Sequence, residues 1–229
     1  MLKKIRSLAG RLLRPQQSKE EFAGHYLKWR KQRIDAIVEH YKLQFFAGKN
    51  LLEVGCGHGD IGAHFQKLGA IVTCSDARPE NLAVARNKYP EISTVLADLD
   101  RGWPFDDNFD IVIHMGLLYH LKEAEKPIRE ACAASWNLVL ETEVCDSDDP
   151  NDILIVDEES RDYDQAFGGK GCRPSPAYVE RILHDCGMTF TRIMDARCNA
   201  EFHVYDWQVQ NTKTWRSGLR AMWFAHRPQ

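Results

Sequence analysis

The chain has 229 residues, of which 44% are hydrophobic, enough to bury one core as a single α/β domain with appendages. A formal net charge of −3 gives no overall positive field, so a long nucleic acid is not an expected partner. The seven cysteines lack any zinc-like spacing; we expect reduced thiols, no resident metal and a cytoplasmic location.

The N-terminal region is predicted to be helical. Residues 1–14 carry leucine and isoleucine at helical spacing beside five basic residues and no acidic one. This pattern is typical of a short solvated helix or of one that contacts a membrane surface weakly. A longer helical pattern follows from Lys19 to Phe46. No apolar stretch approaches the length of a membrane span. We therefore expect a helical extension or lid over 1–45 and a main domain over 46–229.

A glycine-rich turn then follows the first predicted strand, residues 50–54. Glu53 lies in that strand, and Gly55, Gly57 and Gly59 occupy alternate positions before a helical pattern over 60–68. Glycines at such spacing let the backbone turn sharply and approach a ligand closely. In dinucleotide-binding folds a third glycine would stand at Asp60. An anionic side chain at a helix start repels a pyrophosphate and favours a ligand with positive charge.

The next two predicted strands each end in a carboxylate. Residues 71–75 precede Asp76, and residues 94–97 precede Asp98, with a helical pattern over 79–88 between them. Asp76 follows the glycine turn by about twenty residues, where an acidic side chain can accept both hydroxyls of a ribose. Together with the glycine turn, the two acids favour nucleoside binding over two unrelated helix caps.

These motifs resemble the class I S-adenosylmethionine-dependent methyltransferases, in the branch that acts on small molecules. The resemblance implies S-adenosyl-L-methionine, a sulfonium without phosphates, as the cofactor. It implies a Rossmann-like α/β fold: a seven-stranded, mostly parallel sheet with helices on both faces and an antiparallel last strand. By resemblance, Asp76 holds the ribose, Asp98 holds the adenine amino group, and Ala77 and Leu99 line the ring. The remaining cofactor-binding residues expected are Glu53, Gly55, Cys56, Gly57, Gly59, His114 and Met115.

The turn after the fourth predicted strand, residues 109–114, contains the first candidate for a catalytic base. A hydroxyl acceptor must lose its proton, and a placed base contributes about 10²–10⁴-fold. Histidine suits this task because it titrates near neutral pH. His120 is our first candidate, although a histidine that only fixes the turn is an equal alternative. Glu143 and His203 are the next candidates.

The second half of the domain continues the α/β pattern with two inserts. A helix over 123–134 and a strand over 136–142 precede the first insert, 145–174, which has no clear structure. A helix capped by Ser175 and closed by Gly187 follows, and strands 190–194 and 219–225 enclose the second insert, 199–216. We expect both inserts to form the acceptor site and to close over it.

Two clusters of charged residues in this half of the domain each allow two interpretations. Lys170 and Arg173 lie in a glycine-rich stretch and are either a grip for an anionic acceptor or a flexible surface loop. Glu141, Glu143 and Asp146 follow the fifth strand and are either a solvated rim or oxygen ligands for Mg²⁺.

The sequence as a whole favours O-methylation of a small-molecule or glycan hydroxyl. One alternative is methylation of an RNA or protein nitrogen, because the fourth strand lacks the N/D-P-P-Y/F signature of many amino methyltransferases but other nitrogen enzymes lack it too. A second alternative is a non-catalytic S-adenosylmethionine-binding subunit that supports a partner.

Overall fold

The computed structural model describes residues 22, 24–106, 108–162 and 165–228. The predicted basic helix over 1–14 and the beginning of the helical pattern from Lys19 lie outside the described residues. Within the described ranges, no helix is long and apolar enough to cross a membrane.

Seven strands form one sheet in the order β3-β2-β1-β4-β5-β9-β8, and two more form a separate hairpin. Strands β1 to β5 pair in parallel, whereas β9 runs antiparallel to both of its neighbours. The predicted fold class is thereby confirmed. The strands are β1 Asn50–Val54, β2 Ile71–Asp76, β3 Ser93–Leu96, β4 Phe109–Met115, β5 Ser135–Glu143, β6 Ile153–Asp157, β7 Lys170–Pro174, β8 Thr189–Ile193 and β9 Arg220–His226.

Among the described residues, five helices accompany the sheet: α1 His25–Tyr41, α2 Asp60–Lys67, α3 Pro79–Lys88, α4 Glu125–Ala134 and α5 Pro176–Asp185. Ser175 caps α5 as predicted, because its hydroxyl accepts the backbone N–H of Tyr178 at 2.9 Å. The helical pattern to Phe46 is divided in two. Lys42 adopts a positive φ of 68° and ends α1 before a 3₁₀ turn, Leu43–Phe46.

The core consists of two apolar layers, one on each face of the sheet. Neighbouring strand residues alternate between them: Leu51 belongs to one layer and Leu52 to the other, as do Ile113 and Val112. Successive side chains of a strand point to opposite faces, so each central strand contributes to both layers. Helices α4 and α5 pack on one layer through residues such as Ile128 and Ile182, and α1 and α2 on the other through residues such as Trp29 and Phe65.

The first insert differs from the expectation of a stretch without clear structure. Its apolar run, Ile153–Asp157, pairs antiparallel with Lys170–Pro174 and forms the hairpin β6-β7. The second insert is held by isolated bridges, including Val204 to Leu219, and it buries His203 and Tyr205. The hairpin loop reaches the cleft described below, but no residue of 199–216 lies among the residues that line it.

Candidate active site

A cleft of about 1060 Å³, including open space at its mouth, lies at the carboxyl ends of β1, β2 and β4. This is the edge at which open α/β sheets bind ligands. Its wall has three parts: the strand ends with their turns, the N-terminal half of α1 together with Phe22, and the loop of the β6-β7 hairpin. The last two parts contribute Phe22, Tyr26, Trp29, Arg30, Arg33, Gln165 and Phe167.

The glycine turn has the conformation that its spacing predicts. Gly55, Gly57 and Gly59 have φ values of 66°, 53° and 76°, which favour glycine. A Cβ on Gly55 would lie 2.8 Å from Cβ of Leu117, so a side chain there would displace the turn after β4. Gly55, Cys56 and Gly57 line the cleft, whereas Gly59 is the N-cap of α2 and does not.

Asp76, the residue predicted to bind the ribose, lines the cleft, and the chain around it fixes its carboxylate. It accepts the backbone N–H of Gly57 at 2.9 Å and of Arg78 at 2.8 Å, and the side-chain amide of Asn81 at 3.2 Å. Burial raises the pKa of Asp76, although these hydrogen bonds act in the opposite direction. Asn81 also lines the cleft, and its Oδ1 is buried without a partner among the described residues. The sequence analysis did not identify Asn81.

The other predicted cofactor residues divide between the cleft and the core. Ala77, Asp98, Leu99 and Met115 line the cleft, but His114 does not. His114 is fully buried, and burial lowers its pKa to about 4. Because side chains alternate along β4, Met115 reaches the cleft while its neighbour points to the opposite face of the sheet. The structure thus places His114 in the core and not among the residues that line the cleft.

The two acids that flank the glycine turn, Glu53 and Asp60, differ in how their charge is compensated. Asp60 is 3.3 Å from Nη1 of Arg30 and 2.5 Å from Nζ of Lys88, so its charge is neutralised by two cations. Glu53 lines the cleft and accepts the backbone N–H of Gly62 at 2.7 Å. Burial raises the pKa of Glu53 to about 7, against the effect of that hydrogen bond.

Helix α1 brings an arginine to the cleft that the sequence analysis missed. Arg33 lies 3.2 Å from Glu141 through Nη1, and its guanidinium stacks over Trp29 at 3.6 Å from the ring centre. Its Nε is buried without a hydrogen-bond partner among the described residues. A helical period of three or four residues places Arg30, Arg33 and Trp29 on one face of α1, which is the sequence signal that was available.

His120 lies in a 3₁₀ turn, Leu118–His120, and lines the cleft. Its Nδ1 is 2.5 Å from Oε2 of Glu158, which lies directly after β6. Although burial acts to raise the pKa of Glu158, the hydrogen bond from His120 and other N–H donors hold it below its ordinary value. Glu158 is therefore a carboxylate that only accepts hydrogen bonds, so Nδ1 carries the proton. In the neutral ring this leaves Nε2 as an acceptor.

The two other predicted candidates for the base lie behind the cleft. Glu143 is buried, 2.7 Å from Nε of Arg173 and 3.9 Å from Nη2 of Arg220. His203 stacks on Trp29 at 4.0 Å between ring centres and accepts the Nε–H of Arg220 at 3.3 Å. Neither residue is among those that line the cleft.

The remaining charged residues that the sequence analysis singled out in the first insert and β5 are paired with protein groups. Arg173 is buried between Glu143 and Glu158, and Lys170 lies 2.6 Å from Asp157, so neither faces an acceptor in the cleft. Glu141 binds Arg33 and the hydroxyl of Tyr205, and Asp146 accepts backbone N–H groups of the second insert. Within the described part of the chain, no three histidine, cysteine, aspartate or glutamate residues are placed to hold a metal ion.

Comparison with known proteins agrees with this geometry. A family profile described as "Methyltransferase domain" matches residues 51–136. The ubiquinone biosynthesis O-methyltransferase of Cereibacter sphaeroides is 31% identical over 105 residues, which are 40% of this chain and 42% of that protein. The demethylmenaquinone methyltransferase of Chlorobaculum tepidum is 43% identical over 67 residues, which are 29% of this chain and 27% of that protein. The chain thus spans less than half of the length of these curated relatives.

Solved structures share the fold over a larger part of the chain. The N-terminal domain of EvdMO1 with bound SAH has a TM-score of 0.64 at 18% identity and covers 86% of this chain and 81% of that one. The magnesium protoporphyrin IX methyltransferase (ChlM) of Synechocystis PCC 6803 with bound SAM has a TM-score of 0.59 at 16% identity, covering 92% of this chain and 84% of that one. At these identities the likeness concerns the fold alone.

Proposed function

We propose that this chain, which carries a class I S-adenosylmethionine-dependent methyltransferase domain, transfers the methyl group of S-adenosylmethionine to a hydroxyl of a small molecule. The observation that carries the proposal is the position of His120. Its ring lines the same cleft as Asp76 and the glycine turn, and a carboxylate holds its Nδ1. A nucleoside pocket and a candidate base therefore share one space.

The residues of the cleft fit the cofactor at three points. Asp76 is a buried carboxylate, and the unpartnered Oδ1 of Asn81 beside it can accept a further hydroxyl donor; together they suit a ribose. Glu53 places negative charge where a ligand with a positive sulfur and an ammonium group gains from it. Arg33, with its buried and unpartnered Nε, suits the carboxylate of the methionine part.

In methyl transfer to oxygen, the cofactor would supply the methyl group, and the protein would position the reactants and remove the proton. When bound, S-adenosylmethionine supplies a methyl carbon whose bond to sulfur breaks, with the electron pair remaining on sulfur, as the acceptor oxygen bonds to that carbon. The chain holds the two molecules in line, which can supply much of the acceleration. His120 accepts the hydroxyl proton at Nε2, so that a neutral ether leaves, and the imidazolium then gives the proton to water.

The aromatic lining supports a flat acceptor. Phe22, Tyr26 and Phe167 border the cleft, and such side chains stack on planar rings. The quinone-pathway names of the curated relatives make phenols and hydroquinones the first acceptors to test. Monosaccharides, which also stack on aromatic side chains, form the second group.

A mass-based acceptor screen tests the proposal. The protein is incubated with S-adenosylmethionine carrying a labelled methyl group and, in separate reactions, with catechol, hydroquinones, monosaccharides, a primary amine, RNA or protein. We expect a labelled methyl ether and S-adenosylhomocysteine in equal amounts from at least one phenol. Label that enters only an amine, an RNA or a protein would instead support nitrogen methylation. Cofactor binding without turnover in any arm would favour a supporting subunit.

Removal of the Asp76 carboxylate is expected to weaken cofactor binding. In Asp76→Ala the two ribose hydroxyls lose a charged acceptor, which corresponds to about 1.5–3 kcal/mol and roughly a 10- to 100-fold rise in Kd. Asp76→Asn keeps one acceptor oxygen and should show a smaller rise. Isothermal titration calorimetry with S-adenosylhomocysteine measures both values.

The control for this prediction is an acid at the opposite edge of the sheet. Asp110→Ala removes a half-exposed carboxylate that binds Lys49 near the start of β4, and its Kd should match that of the unmodified protein. A folded Asp76→Ala protein with unchanged Kd would contradict the ribose assignment.

A further inference from the structure

The hairpin β6-β7 packs against the turn that contains His120 in the wall of the cleft. Arg173 donates a hydrogen bond from Nη1 to the carbonyl oxygen of Tyr119 at 2.6 Å, and the Sγ of Cys172 lies 3.4 Å from the carbonyl oxygen of Leu118. A Cβ on Gly171 would lie 2.2 Å from the oxygen of Tyr119. The strand therefore approaches the turn more closely than any residue with a side chain would permit.

The loop of the same hairpin is tied to the predicted ribose site. Arg78, two residues after Asp76, donates from Nη2 to the carbonyl oxygens of Ser160, Asp162 and Gln165 at 3.2, 2.9 and 3.1 Å. Its guanidinium also lies 5.3 Å from the ring centre of Phe167. Both ends of the loop are thus fixed relative to the cleft.

Glu158 lies where these contacts meet, and each of its oxygens has assigned donors. Oε2 accepts the backbone N–H of Ala166 at 2.8 Å and lies 2.5 Å from Nδ1 of His120, while Oε1 accepts Nη2 of Arg173 at 3.0 Å. The side chain is only 4% exposed. The carboxylate cannot rotate to another partner without breaking at least one of these bonds.

We propose that Glu158 is a positioning residue for methyl transfer: it holds His120 in the Nδ1–H tautomer and thereby keeps Nε2 free to accept the acceptor's proton. The inference rests on the proposed function, since it assigns the insert a part in the same reaction. The β6-β7 hairpin would then position His120 as well as line the cleft. The competing explanation is that Glu158 only neutralises the buried Arg173.

Glu158→Gln separates these explanations because an amide cannot satisfy all three donors. With its oxygen toward Arg173, the amide points an NH₂ group at Nδ1 of His120 and favours the Nε2–H tautomer, which cannot act as a base. With its oxygen toward His120, the NH₂ group would face the buried Arg173 cation; loss of an acceptor costs more for a charged donor than for a neutral one, so the first orientation is favoured. A purely structural Glu158 would predict lower thermal stability and an unchanged imidazole tautomer.

The first measurement is the tautomer of His120 by ¹⁵N NMR of protein labelled at histidine, with His120→Ala used to assign the signal. This measurement requires no acceptor. We expect Nδ1–H in the unmodified protein and a substantial Nε2–H population in Glu158→Gln. Asp157→Asn, which removes the adjacent exposed carboxylate paired with Lys170, should retain the Nδ1–H signal. The same Nδ1–H signal in a folded Glu158→Gln protein would overturn the inference.

The second measurement is the single-turnover rate with catechol at saturating cofactor. We expect Glu158→Gln to lower it about 10- to 100-fold and to add nothing in the His120→Ala background. Additive losses in the double variant would overturn the inference, because Glu158 would then act without His120. If Glu158→Gln fails to fold, Glu158→Asp keeps the charge beside Arg173 but shortens the reach to His120, and the same two outcomes apply.

The two proposals fail in distinguishable ways. If His120→Ala leaves the rate unchanged, the assignment of the base fails and the positioning role fails with it, whatever the tautomer. If His120→Ala lowers the rate but Glu158→Gln changes neither rate nor tautomer, only the positioning role fails.

Discussion

Replacement of His120 with alanine is expected to lower the single-turnover rate of methyl transfer by about 10²- to 10⁴-fold, the contribution of a placed base. The cofactor should bind nearly as before, because the carboxylate and glycine turn that we assign to its ribose are not altered. The fold should also survive, since Glu158 keeps Ala166 and Arg173 as partners. The measurement is the rate against pH with the acceptor that the screen identifies.

A surface histidine provides the matched control. His184 lies in α5 with 85% of its side chain exposed, so His184→Ala should retain both the rate and the pH profile. If a stable His120→Ala protein also retains them, the proton leaves by another route or no base is used. A merely structural His120 would instead lower the melting temperature, with activity falling in proportion to the folded protein.

The sequence was most informative where a local pattern determines a backbone shape. The glycine turn, the acid at the end of β2 and the proline-led start of α5 each depend on residues close together in the chain. Because parallel strands place their carboxyl ends at one edge of the sheet, these patterns also predicted that Asp76, Asp98 and the turn would share a cleft. The positions of α3 and β1 agreed with prediction to the residue.

The parts that sequence reasoning missed depend on contacts between distant residues. Glu158 is 38 positions from His120, and no spacing rule connects an acid in an insert to a turn after β4. Arg173 was visible as a cation, but only the fold shows that Glu143 and Glu158 enclose it. The burial of His114 away from the cleft was not predicted, because strand position alone does not indicate which face of the sheet each residue occupies.

A buried chain of alternating charges links the parts of the cleft. From Arg33 on α1 it passes through Glu141 to Arg220, and from there through Glu143 to Arg173 and finally to Glu158 beside His120. Buried ions remain stable only when each has a partner. Helix α1, strand β9 and the hairpin therefore depend on one another for charge compensation.

Glu53 lies outside this chain of paired charges, and its replacement should change how the stability of the protein depends on pH. Burial raises its pKa to about 7 from an ordinary value of 4.5. Between these two values the unfolded chain has released the proton while the folded protein still holds it, so stability falls as the pH rises. The loss begins near pH 4.5, is complete above about pH 7 and amounts to at most about 3 kcal/mol.

Glu53→Gln is therefore expected to stabilise the cofactor-free protein at pH 8 by up to about 3 kcal/mol, with the gain vanishing near pH 4.5. The amide oxygen can still accept the backbone N–H of Gly62 that Glu53 binds at 2.7 Å. Urea unfolding at several pH values measures the gain, and Glu91→Gln, at an exposed acid before β3, is the control. If the gain does not depend on pH, ionisation of Glu53 does not destabilise the folded protein, and this prediction is wrong. If Glu53 stabilises the positive charge of the cofactor, Glu53→Gln should bind S-adenosylmethionine more weakly at pH 8 than the unmodified protein does. The substitution would then raise the stability of the cofactor-free protein and lower its affinity for the cofactor.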